Sequence, residues 1–183
     1  KAGALNDAIE RSDADVIALF DADQKPHPKL IAHGTAALKE HDIARARSLP
    51  RPTGLLESMA YYEYLVLFFL PQKLVRSLLG LGIVGSRSVL LERSVFETVG
   101  RFDEETLTED MEFTHRCHQA DLSIRELSYY PCFEESAHTI RDWWGQRVRW
   151  MTGHVSVCHQ QIRERRETVD FDSAGSVLTL VGT

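Results

Sequence analysis

The chain has 183 residues, of which 43% are hydrophobic and 26% are charged, a balance typical of a globular domain that excludes an intrinsically disordered chain. With 21 Lys and Arg against 27 Asp and Glu, the formal net charge is −6, which argues against a nucleic-acid partner because nucleic-acid-binding proteins carry a basic surplus. Three cysteines are too few and too scattered for a disulfide framework and favour a reducing compartment.

The hydrophobic pattern predicts strands that alternate with helices, which indicates a layered α/β domain. Helices are expected over residues 3–12, 30–38, 54–70, 94–100, 109–120 and 140–165, and strands over residues 16–20, 43–49, 83–91 and 123–129. The first strand is continuously apolar, as is typical of a strand buried on both faces. Leu30, Ile31, Ala37 and Leu38 are expected on the apolar side of the second helix, and Ser94 is expected to cap the fourth, which Gly100 ends.

The apolar stretches are too short to predict a complete membrane span. The densest, Tyr61–Leu70, is interrupted by Glu63 and closed by Pro71, whereas a span needs about 20 apolar residues. Val177–Val181 could begin a span or form a buried strand, and the strand is favoured. Because the chain opens without methionine and stops in an apolar stretch, we expect it to be a piece of a longer protein.

Asp-x-Asp triplets occur at residues 13–15, 21–23 and 170–172, and a motif this short is not specific by itself. The first and third lie in polar turns, where solvated carboxylates are the expected state. Asp21 and Asp23 follow the predicted strand 16–20, at the carboxyl end where open α/β sheets bind ligands. Paired carboxylates at that position favour Mg²⁺ or Mn²⁺ together with a diphosphate.

Two further motifs each have a structural and a functional interpretation. Thr108 is a natural N-cap for the helix 109–120, so Glu109 and Asp110 could stabilise its first turn or act in catalysis. On the last helix Gln146, Arg149 and Trp150 lie at i, i+3 and i+4 and are expected to share one face.

That face would offer an amide, a guanidinium suited to phosphate and an indole on which a sugar could stack. Alternatively, Trp143 and Trp150 pack against the core or a bilayer surface while the arginines are solvated.

Four segments in chain order resemble the motif series of the processive glycosyltransferase family 2 enzymes, which include cellulose, hyaluronan and chitin synthases. They are Lys1-Ala2-Gly3-Ala4-Leu5-Asn6, Asp21-Ala22-Asp23, Thr108-Glu109-Asp110 and Gln146-x-x-Arg149-Trp150. Order and spacing fit over residues 1–154, and the set of four is specific where each single motif is not.

The resemblance implies an inverting glycosyltransferase that moves a sugar from a nucleotide-sugar donor, a UDP-sugar above all, to a glycan acceptor. It implies a GT-A fold, a Rossmann-like mixed α/β sheet flanked by helices. Residues 1–139 would be the partial catalytic domain, 140–166 an amphipathic membrane-interface helix and 167–183 a tail that could begin a transmembrane segment. The full-length protein would be integral to the cell membrane with its catalytic domain in the cytoplasm.

The resemblance also assigns roles by position. Asp110 corresponds to the general base, Asp23 to the ligand of Mg²⁺ or Mn²⁺, and Trp150 with Glu109 to the acceptor site. The donor and its diphosphate would be held by a set of four residues, Lys1, Asp21, Gln146 and Arg149.

The chain departs from the family pattern in two places. The unit that binds the nucleoside would lie before Lys1, so these residues alone are expected to be inactive. Where cellulose synthases have Phe-Cys-Gly-Ser, this chain has Ile83-Val84-Gly85-Ser86, so Val84 replaces the cysteine that contacts the acceptor. Two alternatives remain, a sugar-nucleotide-binding or scaffold domain without turnover and a phosphotransferase of the haloacid-dehalogenase type.

Overall fold

The computed structural model of the chain describes residues 1–70, 73–74, 84–106 and 108–168. The helices in these ranges are α1 (Ala2–Arg11), α2 (Leu30–Ala37), α3 (Leu55–Glu63), α4 (Arg93–Val99), α5 (Glu109–Gln119) and α6 (Ile140–Thr168). The strands are β1 (Val16–Leu19), β2 (Lys25–Pro26), β3 (Ile43–Pro50), β4 (Val89–Glu92) and β5 (Ile124–Glu134). Helix α3 continues directly into a π-helical segment, Tyr64–Phe69.

The described strands form one mixed sheet in the order β1-β4-β3-β5-β2. Strand β4 is antiparallel to both β1 and β3, β3 is parallel to β5, and β2 is antiparallel to β5. The predicted mixed α/β sheet is therefore confirmed.

Helices cover both faces of this sheet. Neighbouring residues of a strand point to opposite faces, and adjacent residues of β3 and β4 belong to two different cores. Ile43 and Leu91 belong to a core that includes Phe96 and Phe113 from α4 and α5. The adjacent Ala44 and Leu90 belong to a second core, and that one lies beneath Leu30 of α2 and also includes Leu38. The site described below lies at the carboxyl ends of β1 and β5.

Several predicted elements differ in detail. Strand β1 is an edge strand of the described sheet with Ala18 exposed, so the prediction of burial on both faces was wrong. Ile31 is 47% exposed and does not share the buried side of α2 with Leu30 and Leu38. Ser94 lies inside α4 rather than capping it, while Gly100 ends that helix as predicted, with φ of 79°.

The predicted strand 83–91 begins only at Val89, because Gly85 and Ser88 have φ of 75° and 52° and cannot continue a strand. Ile83, the triplet 170–172 and residues 177–181 lie outside the described residues, as does the side chain of Cys158.

Candidate active site

Side chains from three of the predicted motifs meet beyond the carboxyl end of β1. The Lys1 Nζ atom lies 2.9 Å from Asp21 Oδ1 and 3.5 Å from Glu109 Oε1. Lys1 also donates to the Ser86 hydroxyl at 2.9 Å, and that hydroxyl donates to Glu109 Oε1 at 3.0 Å. The Lys1 ammonium group thus joins the start of α1 to the turn after β1 and to the start of α5. Glu109, expected on the acceptor side, lies beside the residues expected to hold the donor.

A second group of side chains surrounds Glu134 at the end of β5. Arg87 Nη1 lies 2.9 Å from Glu134 Oε2 and 4.0 Å from Asp21 Oδ2. Gln24 donates to the same Glu134 oxygen at 3.2 Å. Gln24 is itself held by Ser48 and Ser88, whose hydroxyls lie 3.0 and 3.1 Å from its amide atoms. The second group therefore forms a connected network that reaches Asp21.

The Glu134 side chain is only 10% exposed. Burial raises the pKa of its carboxyl group, while the charge of Arg87 and the hydrogen bond from Gln24 act in the opposite direction. A buried carboxylate needs such partners, since an unpaired charge away from water is strongly unfavourable. The ion pair with Glu134 consequently holds the Arg87 guanidinium in place.

Asp23 differs from Asp21 in its surroundings. Its carboxylate is exposed and makes no hydrogen bond or ion pair with another described residue. It lines a cleft with residues of β2, the segment after β3 and the loop that follows β5, namely Lys25, Arg51, Thr53, Phe133, Glu134, Glu135, Ser136 and His138. The buried Ser136 hydroxyl has no hydrogen-bond partner in the described part of the chain.

The donor set suits a divalent cation bound jointly with a phosphate ligand. Nowhere in the described ranges do three His, Cys, Asp or Glu side chains converge to hold a metal by themselves. Mg²⁺ typically takes one or two protein carboxylates and completes its coordination with water and substrate phosphates. The exposed Asp23 oxygens fit that arrangement, whereas Asp21 is already paired with Lys1.

Asp110 lies in the first turn of α5, half-buried, where one of its oxygens accepts the Met111 N–H at 2.9 Å. The preceding Thr108 is the N-cap residue as predicted, but its side chain makes no capping hydrogen bond and its buried hydroxyl has no partner among the described residues. Helix α6 packs closely against this turn. A Cβ atom added at Gly153 would lie 2.1 Å from Thr108 Cγ2.

The motif on α6 is only partly assembled. Trp150 is half-buried, with the guanidinium carbon of Arg147 4.5 Å and that of Arg87 5.8 Å from its ring centre. Gln146 accepts a hydrogen bond from Arg147 at 2.7 Å. Arg149 is exposed and makes no hydrogen bond or ion pair with another described residue. Gln146 and Trp150 are half-buried on this side of α6, whereas the Arg149 side chain next to them is exposed.

Arg147 was not predicted as a site residue, and it connects α6 to α3. Its guanidinium donates to Glu63 Oε1 at 2.7 Å, and Trp143 Nε1 donates to Glu63 Oε2 at 3.0 Å. The hydrogen bonds from Arg147 and Trp143 lower the pKa of Glu63, Arg147 contributing most. A charge inside the otherwise apolar stretch 61–70 is the sequence signal that points to this contact.

A further basic side chain, Arg45 of β3, lies close to the loop that contains Gly85. A Cβ atom added at Gly85 would lie 3.8 Å from Arg45 Nε. Burial lowers the pKa of Arg45, and the nearby Tyr64, Glu126 and Asp110 oppose that shift. Burial likewise raises the pKa of Tyr64 in the π-helical segment. Arg45 is therefore a source of positive potential near the candidate base.

Helices α3 and α6 both present apolar side chains to solvent. On α6 these residues recur at helical spacing, as Ile140, Trp144, Val148, Met151 and Val155, each at least 47% exposed. Trp143 and Trp150 lie on the inner side instead, so of the three tryptophans only Trp144 is exposed. No helix within the described residues is both long and apolar enough to cross a membrane.

Comparison with known proteins gives a consistent result. The sequence profile of the family described as glycosyl transferase family group 2 matches residues 16–182. A probable glycosyltransferase, YdaM, from Bacillus subtilis is 26% identical over 181 residues, covering 94% of this chain and 43% of that protein. The β-monoglucosyldiacylglycerol synthase of Trichormus variabilis is 28% identical over 162 residues, covering 84% of this chain and 33% of that protein.

Solved structures agree on the fold. The mannosyltransferase PcManGT from Pyrobaculum calidifontis, in complex with GDP-Man and Mn²⁺, superposes with a TM-score of 0.60 at 18% identity, covering 89% of this chain and 44% of that one. TarS residues 1–349 from S. aureus, in complex with UDP-GlcNAc, gives a TM-score of 0.51 at 15% identity over 76% of this chain and 40% of that one. The chain spans less than half the length of each of these proteins.

Proposed function

Because the chain belongs to glycosyl transferase family group 2, we propose that the full-length protein transfers a sugar from a nucleotide-sugar donor to a hydroxyl acceptor, with inversion at the anomeric carbon. The observation that supports this best is the convergence of side chains from the first three motifs beyond β1, with Trp150 of the fourth motif nearby. Lys1, Asp21 and Glu109 contact one another, and Arg87 lies between Asp21 and the Trp150 ring. Family membership leaves the haloacid-dehalogenase alternative without support.

In the proposed reaction Asp110 removes the proton of the acceptor hydroxyl. The acceptor oxygen then bonds to the anomeric carbon, and the bond from that carbon to the diphosphate breaks, releasing a nucleoside diphosphate. Only one Asp110 oxygen accepts the Met111 N–H, which leaves the second for the acceptor proton. Lys1 and the exposed Arg149 supply positive charge for the diphosphate.

A divalent cation held by Asp23, Mg²⁺ or Mn²⁺, would neutralise charge on the leaving diphosphate when bound. The exposed oxygens of Asp23 support this assignment, and the pairing of Asp21 with Lys1 gives the two aspartates different tasks. The Mn²⁺ and GDP-Man of the Pyrobaculum structure, and the UDP-GlcNAc of TarS, indicate the ligand classes to test first.

We further propose that α6 lies on the cytoplasmic surface of a membrane. Its solvent-facing side carries Trp144, Val148 and Met151, whereas the inner side faces the candidate site through Trp150. An amphipathic helix with exposed Trp and aliphatic residues suits that interface. The name of the Trichormus relative describes a glycosyl diacylglycerol product, which makes a lipid hydroxyl an acceptor to test beside a glycan.

The test is metal-dependent turnover by the full-length protein. We would supply labelled UDP-glucose, UDP-GlcNAc and GDP-mannose, each with diacylglycerol vesicles or GlcNAc oligomers as acceptors. Transfer with Mg²⁺ or Mn²⁺ that stops on chelation is expected. Donor binding without transfer to any acceptor would support the scaffold alternative and contradict our proposal.

Two substitutions separate the proposed roles. Asp110→Asn should lower kcat by about 10²- to 10⁴-fold while donor binding is retained, because it removes the base alone. Asp23→Asn should abolish the metal dependence of donor binding. Asp15→Asn, in the exposed triplet that precedes β1, is the matched control and should behave as wild type. An Asp110→Asn enzyme that keeps more than about a tenth of its activity would remove Asp110 from the mechanism.

A further inference from the structure

Arg87 belongs to none of the recognised motifs, yet it lies where three elements meet. Its guanidinium pairs with Glu134 at the end of β5 at 2.9 Å and lies 4.0 Å from Asp21 beyond β1. The same guanidinium carbon is 5.8 Å from the centre of the Trp150 ring on α6. The Arg87 side chain thus connects Glu134 of the sheet with the Trp150 ring of the candidate acceptor site.

The orientation of Arg87 is fixed by its partners on the sheet. Glu134 is 10% exposed and also accepts a hydrogen bond from Gln24 at 3.2 Å. Gln24 is buried and held by the hydroxyls of Ser48 and Ser88, which are 2.9 Å apart. A guanidinium on such a network loses little further entropy when it stacks on an aromatic ring.

Arg147 lies closer to the Trp150 ring, but it serves a different purpose. Arg147 and Trp150 are on the same helix, three residues apart, and Arg147 is paired with Glu63 of α3. That contact fixes the indole relative to α3 and α6. The contact with Arg87 relates the indole to the ends of β1 and β5, where the donor is proposed to bind.

We propose that Arg87 is a positioning residue that sets the Trp150 ring at a fixed distance from the carboxylates at the strand ends and thereby determines how well the acceptor binds. This inference rests on the proposed function, since it takes Trp150 as part of the acceptor site. The acceptor is a sugar or lipid hydroxyl that binds beside the indole.

The experiment compares variants of the full-length enzyme with whichever of the donors and acceptors named above gives turnover. Arg87→Met keeps the length of the side chain but removes its charge. It should raise the acceptor KM about tenfold, the effect of losing a partly buried cation–π contact, while the donor KM changes by less than about threefold. The acceptor KM of Arg87→Lys should lie between those of the wild type and Arg87→Met, because an ammonium group pairs with Glu134 but stacks less well on the indole. Arg101→Met is the matched control, since Arg101 pairs with Glu10 on an exposed surface and should leave both KM values unchanged.

A double variant separates positioning from stability. Arg87→Met alone leaves the buried Glu134 charge without its cation and should lower the thermal midpoint. Adding Glu134→Gln removes that charge, so the midpoint should recover while the acceptor KM stays raised.

Recovery of the acceptor KM together with the midpoint would overturn the proposal, because Arg87 would then only neutralise Glu134. An Arg87→Met enzyme with the acceptor KM of Arg101→Met would overturn it as well. Absence of metal-dependent transfer by the wild-type protein would instead overturn the proposed function on which the inference rests.

Discussion

The contact between Gly153 and Thr108 offers a sharp test of how α6 and the candidate base are related. Gly153 lies three residues beyond Trp150, and Thr108 lies two residues before Asp110. A Cβ atom at position 153 would be 2.1 Å from Thr108 Cγ2, 3.1 Å from its hydroxyl and 3.2 Å from its Cβ. Glycine therefore allows the helix to approach the start of α5, and Gly153→Ala should push the two apart.

The expected size of the effect follows from this distance. Carbon atoms in contact are normally about 3.5–4.0 Å apart, so α6 or the Thr108 turn must move by more than about 1 Å. Overpacking of this kind costs about 1–3 kcal/mol, whereas alanine in place of glycine stabilises a helix by about 1 kcal/mol. The net change should therefore be a destabilisation of about 0–2 kcal/mol. Misplacement by about 1 Å can reduce turnover by about 10²-fold, so we expect the loss in kcat.

Gly145 of the same helix provides the control. A Cβ atom there would meet nothing within 4 Å, so Gly145→Ala should stabilise α6 and leave turnover unchanged. Thr108→Ser removes the methyl group that collides and should restore turnover when combined with Gly153→Ala. Sugar transfer by the full-length enzyme is the assay. Wild-type turnover in Gly153→Ala, or an equal loss in Gly145→Ala, would refute the packing that we describe.

Three further predictions concern stability and reactivity. Asp42→Ala should destabilise the protein by about 2–3 kcal/mol in urea at pH 7, because Ser123 donates its hydroxyl and backbone N–H to Asp42 at 2.6 and 2.7 Å. These bonds lower the pKa of Asp42. Their contribution to stability is therefore complete above the unfolded pKa of about 3.9 and is lost as the pH falls through the lower folded pKa. An acid-unfolding curve unchanged by Asp42→Ala would contradict this. Burial raises the pKa of Cys117 to about 12, so the native protein should not react with iodoacetamide at Cys117 at pH 8, and rapid labelling there would disprove its burial. Glu63→Gln should lower the thermal midpoint, since it breaks the ion pair with Arg147; an unchanged midpoint would show that the pair does not hold α3 to α6.

Local patterns were sufficient to predict the elements that position the site. The acidic first turn that begins at Glu109, the strand that ends before Asp21 and the long final helix were all predicted within a few residues of their observed bounds. Each depends on a signal confined to one segment, such as an N-cap residue or a continuous apolar run. The loop that contains Gly85 and Ser88 was missed because the left-handed φ of a non-glycine residue such as Ser88 is not signalled by a local sequence pattern.

Which arginine contacts Trp150 could not be predicted, because this depends on tertiary packing. Helical spacing placed Gln146, Arg149 and Trp150 together, and it is equally compatible with Arg147 stacking on the indole. Glu63 determines which arginine contacts the indole, because its carboxylate, 84 residues away in the sequence, pairs with Arg147. No pattern within one helix contains that information.

The same limit applies to the two aspartates of the triplet 21–23, which sequence spacing treats as equivalent. Asp21 Oδ1 is 2.9 Å from Lys1, and its other oxygen is 4.0 Å from Arg87. A divalent cation at Asp21 would have to displace or tolerate a positive charge already in contact, which Coulomb repulsion opposes. Asp23 is exposed, and its carboxylate forms no ion pair with a described residue. The different roles that we propose for Asp21, which orders the site, and Asp23, which binds the metal, therefore depend on Lys1 and Arg87. Both residues are distant from the triplet in sequence and adjacent to it only in the fold.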